Sequence, residues 1–179
     1  MSALRSIAAT CAAGVLMVAC GGGEPKGPSD ATPPQVSFQV HVIHPDGKPA
    51  GEYASTAVTA PIAIDAIDRL ELIAQGMDAE SGTRRLTVDA TIDVACDMPD
   101  KTVKATPQVQ KTVARMERPT PVPTIMATST GPATELFGLK CDPPAVSGKA
   151  TIKLVAEAEN NAGVKGSSAT IELAASLHP

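Results

Sequence analysis

The sequence predicts an all-β protein, an antiparallel sandwich of about seven strands, and three observations carry that expectation. Apolar and polar residues alternate at period two in several separate runs, clusters of Pro, Gly, Asp and Asn divide those runs, and no stretch beyond residue 20 sustains the apolar period of a helix. Side chains on a strand point alternately to opposite faces, so each run has one face to bury. Two sheets packed face to face bury each other's apolar sides.

The elements follow in order. Val36, Phe38, Val40 and Val42 alternate with Ser37, Gln39 and His41, and Pro45-Asp46-Gly47 then reads as a turn. His41 and His44 suggest a metal pair, but a spacing of three places them on opposite faces of a strand, so a solvent-facing His41 and a turn-flanking His44 are expected. A loop covers Tyr53 to Pro61. The run from Ile67 to Met77 sets Leu70, Leu72 and Ala74 on one parity and ends at Asp78-Ala79-Glu80-Ser81-Gly82. The clearest strand follows, with Leu86, Val88, Ala90, Ile92, Val94 and Cys96 apolar and Thr87, Asp89, Thr91 and Asp93 polar between them. By parity the Cys96 thiol faces the core.

From Met98 to Ile125 the pattern weakens. Thr106-Pro107 could cap a short helix with Val109, Val113 and Met116 on one stripe, but the β-branched content favours a strand. Lys101, Lys104, Lys111, Arg115 and Arg118 outnumber Asp100 and Glu117 there, a basic segment that reads as a solvated face. Pro119, Pro121 and Pro123 remove amide donors and imply a polyproline-like stretch or a sheet edge. Phe137, Leu139 and Cys141 share a parity, as in a strand closed by Asp142-Pro143-Pro144. Ile152, Leu154, Ala156 and Ala158 form the next strand, Asn160-Asn161-Ala162-Gly163 a turn, and Ala169, Ile171, Leu173 and Ala175 the last strand.

At the other end of the chain, Arg5 precedes an uncharged apolar run from Ile7 to Val18, the layout of a secretory signal. A spanning helix needs ~20 apolar residues, and Gly21-Gly22-Gly23 ends this run well before that. Leu16-Met17-Val18-Ala19-Cys20 resembles the lipobox of bacterial lipoproteins; Ala19 fits the small residue before the cysteine, while Met17 departs from the usual Leu. The resemblance implies that residues 1–19 are removed and that Cys20 carries diacylglycerol and an N-acyl chain. Such double acylation gives stable membrane anchoring, where a single chain would not. By the same family's sorting rule, Gly21 in place of Asp directs the protein to the outer membrane of the cell envelope. Residues 20–34 then form the acylated terminus and a disordered Gly/Pro-rich tether, ~20 Å long as a coil and at most ~50 Å extended, before a single domain over 35–179.

Two turn sequences resemble those of bacterial immunoglobulin-like domains. Ala74 to Gly82 is similar to the A-x-D-x-x-S-G turn that ends an early core strand, and Ala156 to Gly163 to the A-x-D/N-x-A-G turn before the last strand. The resemblance implies an immunoglobulin-like β-sandwich with Greek-key connections, strands B and F preceding the two turns. The chain lacks the core Trp of many such domains, and its cysteines are not placed on B and F.

Loss of residues 1–19 removes Arg5 alone among the charged residues, leaving 14 basic residues against 19 acidic and a net charge of −5. An acidic chain whose only aromatics are Phe38, Tyr53 and Phe137 is unsuited to nucleic acid and to carbohydrate stacking platforms. Cys96 and Cys141 are the pair left after Cys11 departs and Cys20 is acylated; in an exported protein they read as a disulfide, the alternative being a two-thiol metal site. Asp78, Glu80, Asn160 and Asn161 would lie together at one end of the sandwich, a weak candidate for calcium, although Asp and Asn are also ordinary turn formers. No GxSxG, HExxH or P-loop motif occurs, and no cofactor fingerprint. The expected function is therefore that of a noncatalytic, lipid-anchored interaction or scaffold module for another envelope or surface protein. The alternative is a receptor for a small ligand or calcium at the Asp78/Asn160 end.

Overall fold

The computed structural model describes residues 31–104, 108–142 and 145–178. Eleven strands and one short helix follow one another: β1 Gln35–Ile43, β2 Pro49–Ala54, β3 Ile62–Asp65, β4 Arg69–Met77, β5 Thr83–Asp97, β6 Thr102–Lys104, β7 Val109–Val122, β8 Thr124–Pro132, α1 Ala133–Phe137, β9 Ser147–Asn160, β10 Lys165–Ser167 and β11 Ile171–Leu177. They form two sheets. One has the order β2-β1-β4-β8; the other runs β3-β11-β9-β5, with β6 and β7 both pairing β5 and β10 pairing β9.

Pairing is antiparallel except between β3 and β11, where four residues run parallel. The neighbours β1–β4 and β4–β8 in one sheet, and β5–β9 in the other, come from distant parts of the chain, as Greek-key crossovers require. In the usual lettering β1, β4 and β8 take the places of A, B and E, and β5, β9 and β11 those of C, F and G. The molecule is an all-β, immunoglobulin-like sandwich.

The predicted parities build the core. Phe38, Val40, Val42, Leu70, Leu72, Leu86, Val88, Ile152, Leu154, Ile171 and Leu173 are all buried. Each fully buried Leu or Ile contributes ~1.5–3 kcal/mol. With no Trp to fill the gap, the sheets approach through small residues: a Cβ built on Gly76 would stand 2.9 Å from that of Ala158.

Three readings need correction. The strand through Phe137, Leu139 and Cys141 is instead helix α1, flanked by Pro132 and ended by Gly138 in the left-handed region at φ 69°. Phe137 and Leu139 are buried all the same, one from the helix and one from the loop after it. Second, the strands β2 and β3 that flank the Tyr53–Pro61 loop go unread, and β2 takes in Tyr53 and Ala54, because PAGEYA lacks alternation and Ile62-Ala63-Ile64 is too short to register. Third, β8 does not stand out from the irregular middle, although Ile125 and Ala127 face the core. Pro34, just before β1, is buried as well. The strand preference for the middle segment does hold: Val109 to Met116 lies in β7, whose last turn of chain holds Pro119 and Pro121 at a sheet edge. Thr106 and Pro107 lie outside the described residues, as does Cys20.

Candidate functional site

The two turns expected to share one end of the sandwich do meet there. Asp78 follows β4 directly, and its Oδ1 accepts the backbone amides of Glu80 at 3.0 Å and Ser81 at 2.9 Å, which bends the chain into the β4–β5 turn. Gly82 closes that turn at φ 78° against Pro121. Asn160 ends β9, and its Oδ1 accepts the amides of Ala162 at 3.0 Å and Val164 at 2.9 Å. Gly163, at φ 83°, completes the turn into β10.

Between the turns, Asn160 Nδ2 donates to Asp78 Oδ2 at 3.0 Å and to the carbonyl of Thr32 at 3.1 Å. The Ser81 hydroxyl donates to the same Asp78 oxygen at 3.2 Å, and the Asn161 amide to the Gly82 carbonyl at 3.1 Å. The Asp78 amide in turn donates to Pro123 O at 2.9 Å, which draws in the β7–β8 junction. Asp78 and Asn160 are thus the centre of a clasp that joins both turns, the β7–β8 corner and the residues leading into β1.

The electrostatics follow from this geometry. Burial by itself pushes the Asp78 carboxyl up, but hydrogen bonds from the Ser81 amide, Asn160, the Glu80 amide and the Ser81 hydroxyl together outweigh it and hold the carboxyl below its ordinary value of 3.8. Of the four candidate calcium ligands, Asp78 and Asn160 have their side-chain oxygens turned to protein amides and a hydroxyl. Glu80 is exposed, and Asn161 joins the clasp through its backbone. No group of three or more His, Cys, Asp or Glu side chains is arranged for a metal ion among the described residues. A shallow cleft of about 250 Å³ lies beside the clasp, between Thr32, Pro33 and Gln35 on one side and Met77 and Glu80 on the other.

The lead-in segment is part of the folded site, which the local pattern of residues does not reveal. Pro34 passes so close to Gly166 of β10 that a Cβ on that glycine would collide with the Pro34 carbonyl. The adjacent prolines 33 and 34 were the only hint that this stretch holds a fixed shape.

At the opposite end, Cys96 and Cys141 form a disulfide with their Cα atoms 5.7 Å apart, tying the end of β5 to the loop after α1. Nearby on that side, His44 Nδ1 lies 2.9 Å from Oδ1 of the buried Asp68, and His178 Nε2 lies 3.1 Å from Asp65 Oδ2. His41, on the outer face of β1, sits 3.1 Å from Glu71 Oε2. The histidines are separately paired with carboxylates, in keeping with the expectation that His41 and His44 do not converge. In the basic segment, Lys111 Nζ donates to the Leu136 carbonyl at 2.8 Å and Arg115 pairs with Glu117.

No family model and no curated protein matches this chain. Among the described residues, no helix is long and apolar enough to cross a membrane.

Proposed function

We propose that this chain is a noncatalytic lipoprotein, anchored through acylated Cys20 to the bacterial outer membrane, that presents its immunoglobulin-like domain to another envelope or surface protein. The observation that carries the reading is the saturation of the Asp78–Asn160 clasp. This buried polar cluster spends its oxygens on the chain's own amides, which is the arrangement of a structural joint. Sheet edges and turn surfaces are then what the domain has to offer a partner. The lipobox resemblance supplies the location, and the acidic charge argues against nucleic acid.

Replacement Cys20→Ser tests the anchor: the variant should leave the membrane fraction for the soluble envelope fraction, and a variant that still sediments with membranes would refute lipid tethering. The alternative of a calcium or small-ligand receptor at the Asp78/Asn160 end is favoured only by the neighbouring cleft. A calcium titration followed by thermal unfolding decides between the two. The joint predicts no shift in melting temperature, whereas a strong rise reversed by chelator would favour the receptor.

A further inference from the structure

Gly166 lacks a side chain for a reason that lies outside its own strand. It is the middle residue of β10 and is not among the glycines held at positive φ, so its backbone alone would accept alanine. The three atoms nearest to a Cβ placed there all belong to Pro34: the carbonyl oxygen at 2.0 Å, the carbonyl carbon at 3.1 Å and the nitrogen at 3.4 Å. Gly166 is thus a notch that admits the lead-in segment and nothing else nearby.

Residues 31–34 fill this notch without joining a sheet. None of them belongs to a strand, and Pro33 and Pro34 have no amide hydrogen with which to extend a ladder. Thr32 offers its carbonyl to Asn160 Nδ2 at 3.1 Å, and Pro34 is buried beside Gly166. Ladder pairing begins at Gln35, from which β1 joins β4 through Ile43 in unbroken register. Release of the segment would therefore stop at Gln35. Asn160 would keep its bonds to Ala162, Val164 and Asp78, so the clasp would survive the release. Segments outside the ladders open at far lower free energy than the strands they adjoin.

We propose that residues 31–34 are a latch that docks into the Gly166 notch and onto Asn160, and that undocks while the sandwich stays folded. Docked, it fixes the direction in which the chain enters the domain at the clasp end. Undocked, it adds residues 31–34 to the stretch of chain before β1, up to ~14 Å of further reach. The consequence for the height and tilt of the domain above a membrane rests on the lipoprotein reading. The latch itself does not, and unacylated protein tests it.

Hydrogen exchange followed by NMR on the full chain carrying Cys20→Ser reads the latch at two places. One is the Asn160 side-chain amide, which donates to Thr32; the other is the pair of backbone amides, Glu80 and Ser81, held by Asp78. Gly166→Ala drives a methyl into the Pro34 carbonyl and should speed exchange of the Asn160 side-chain amide at least about tenfold, with Glu80, Ser81 and the inner β1 amides changed less than about twofold. Pro34→Gly, which leaves the notch intact and loosens the segment, should act on the same amide in the same direction. Ser167→Ala, the next residue of β10, should change nothing. If Gly166→Ala does not fold, Pro34→Gly decides alone. An Asn160 amide indifferent to both changes, exchange that rises equally across β1 and β9, or an equal response to Ser167→Ala overturns the latch.

Discussion

Asn160 shows how much one side chain can settle. It is wholly buried, and its amide has one orientation that suits every neighbour: oxygen toward two backbone amides, nitrogen toward Asp78 and Thr32. Asn160→Asp keeps the shape but sets a second carboxylate where the nitrogen now lies 3.0 Å from Asp78 Oδ2. Two carboxylates that close cannot both ionise, so one acquires a raised pKa in the folded state. A raised acid pKa costs stability at neutral pH, and the cost fades as pH falls through that value. The variant should be less stable by at least about 2 kcal/mol at pH 7, with the deficit shrinking towards pH 5 in urea unfolding. A deficit independent of pH would show that the two groups do not share the site. Thr83 predicts the opposite sign: its hydroxyl is buried with no hydrogen-bond partner among the described residues, so Thr83→Val should stabilise by about 1 kcal/mol in the same assay.

At the scale of elements, the disulfide and the two clasped turns divide the work of closing the sandwich. The bond spans 45 residues, including β6, β7, β8 and α1, and its loss should remove ~4 kcal/mol on the loop-entropy account. Paired replacement Cys96→Ser with Cys141→Ser tests this by denaturant midpoint, and a change below about 1 kcal/mol would mean that the enclosed strands are already ordered by pairing alone. Legibility varied along the same elements. β1, β4, β5, β9 and β11 could be read because each buries most of one face, so selection for an apolar core wrote the alternation into the chain. β8 buries only Ile125 and Ala127 over nine residues and carries Ser and Thr elsewhere, which leaves no contrast to detect. The apparent strand at Phe137 and Leu139 failed for a different reason: two buried residues separated by Gly138 satisfy period two whether the chain is extended or turns through a left-handed glycine. The Asp78 and Asn160 turns were legible because Asx hydrogen bonding is local; their partnership with Thr32 is set by tertiary contact, which no local pattern encodes.

The whole molecule answers pH on two limbs, one carried by carboxylates at both ends of the sandwich and one by a histidine. At the clasp end the depressed Asp78 carboxyl contributes stability that is present above its ordinary value of 3.8 and is lost as pH falls through the folded value. Asp46, beside Lys48, Asp97, held by Thr102 and Ser147, and Glu117, beside Arg115, are depressed too, so the acid limb belongs to several groups. A histidine beside the β1–β2 turn supplies the other limb. His44 is raised above 6.5, first by its hydrogen bond to Asp68, which outweighs the opposing effect of desolvation, and further by the charges of Asp68, Asp46 and Asp65. A raised histidine contributes stability that is complete below 6.5 and disappears as pH climbs through the raised value. Asp68 also receives the Asp65 amide at 2.8 Å, and its carbonyl receives the first amide of α1, so the loss is transmitted to the turn before β4 and to the helix. Urea midpoints taken from pH 6 to 8.5 should therefore fall modestly in the natural sequence and stay level in His44→Gln, the modesty following from the exposure of the imidazole. Parallel curves for the two proteins would place the alkaline sensitivity elsewhere in the fold and detach His44 from it.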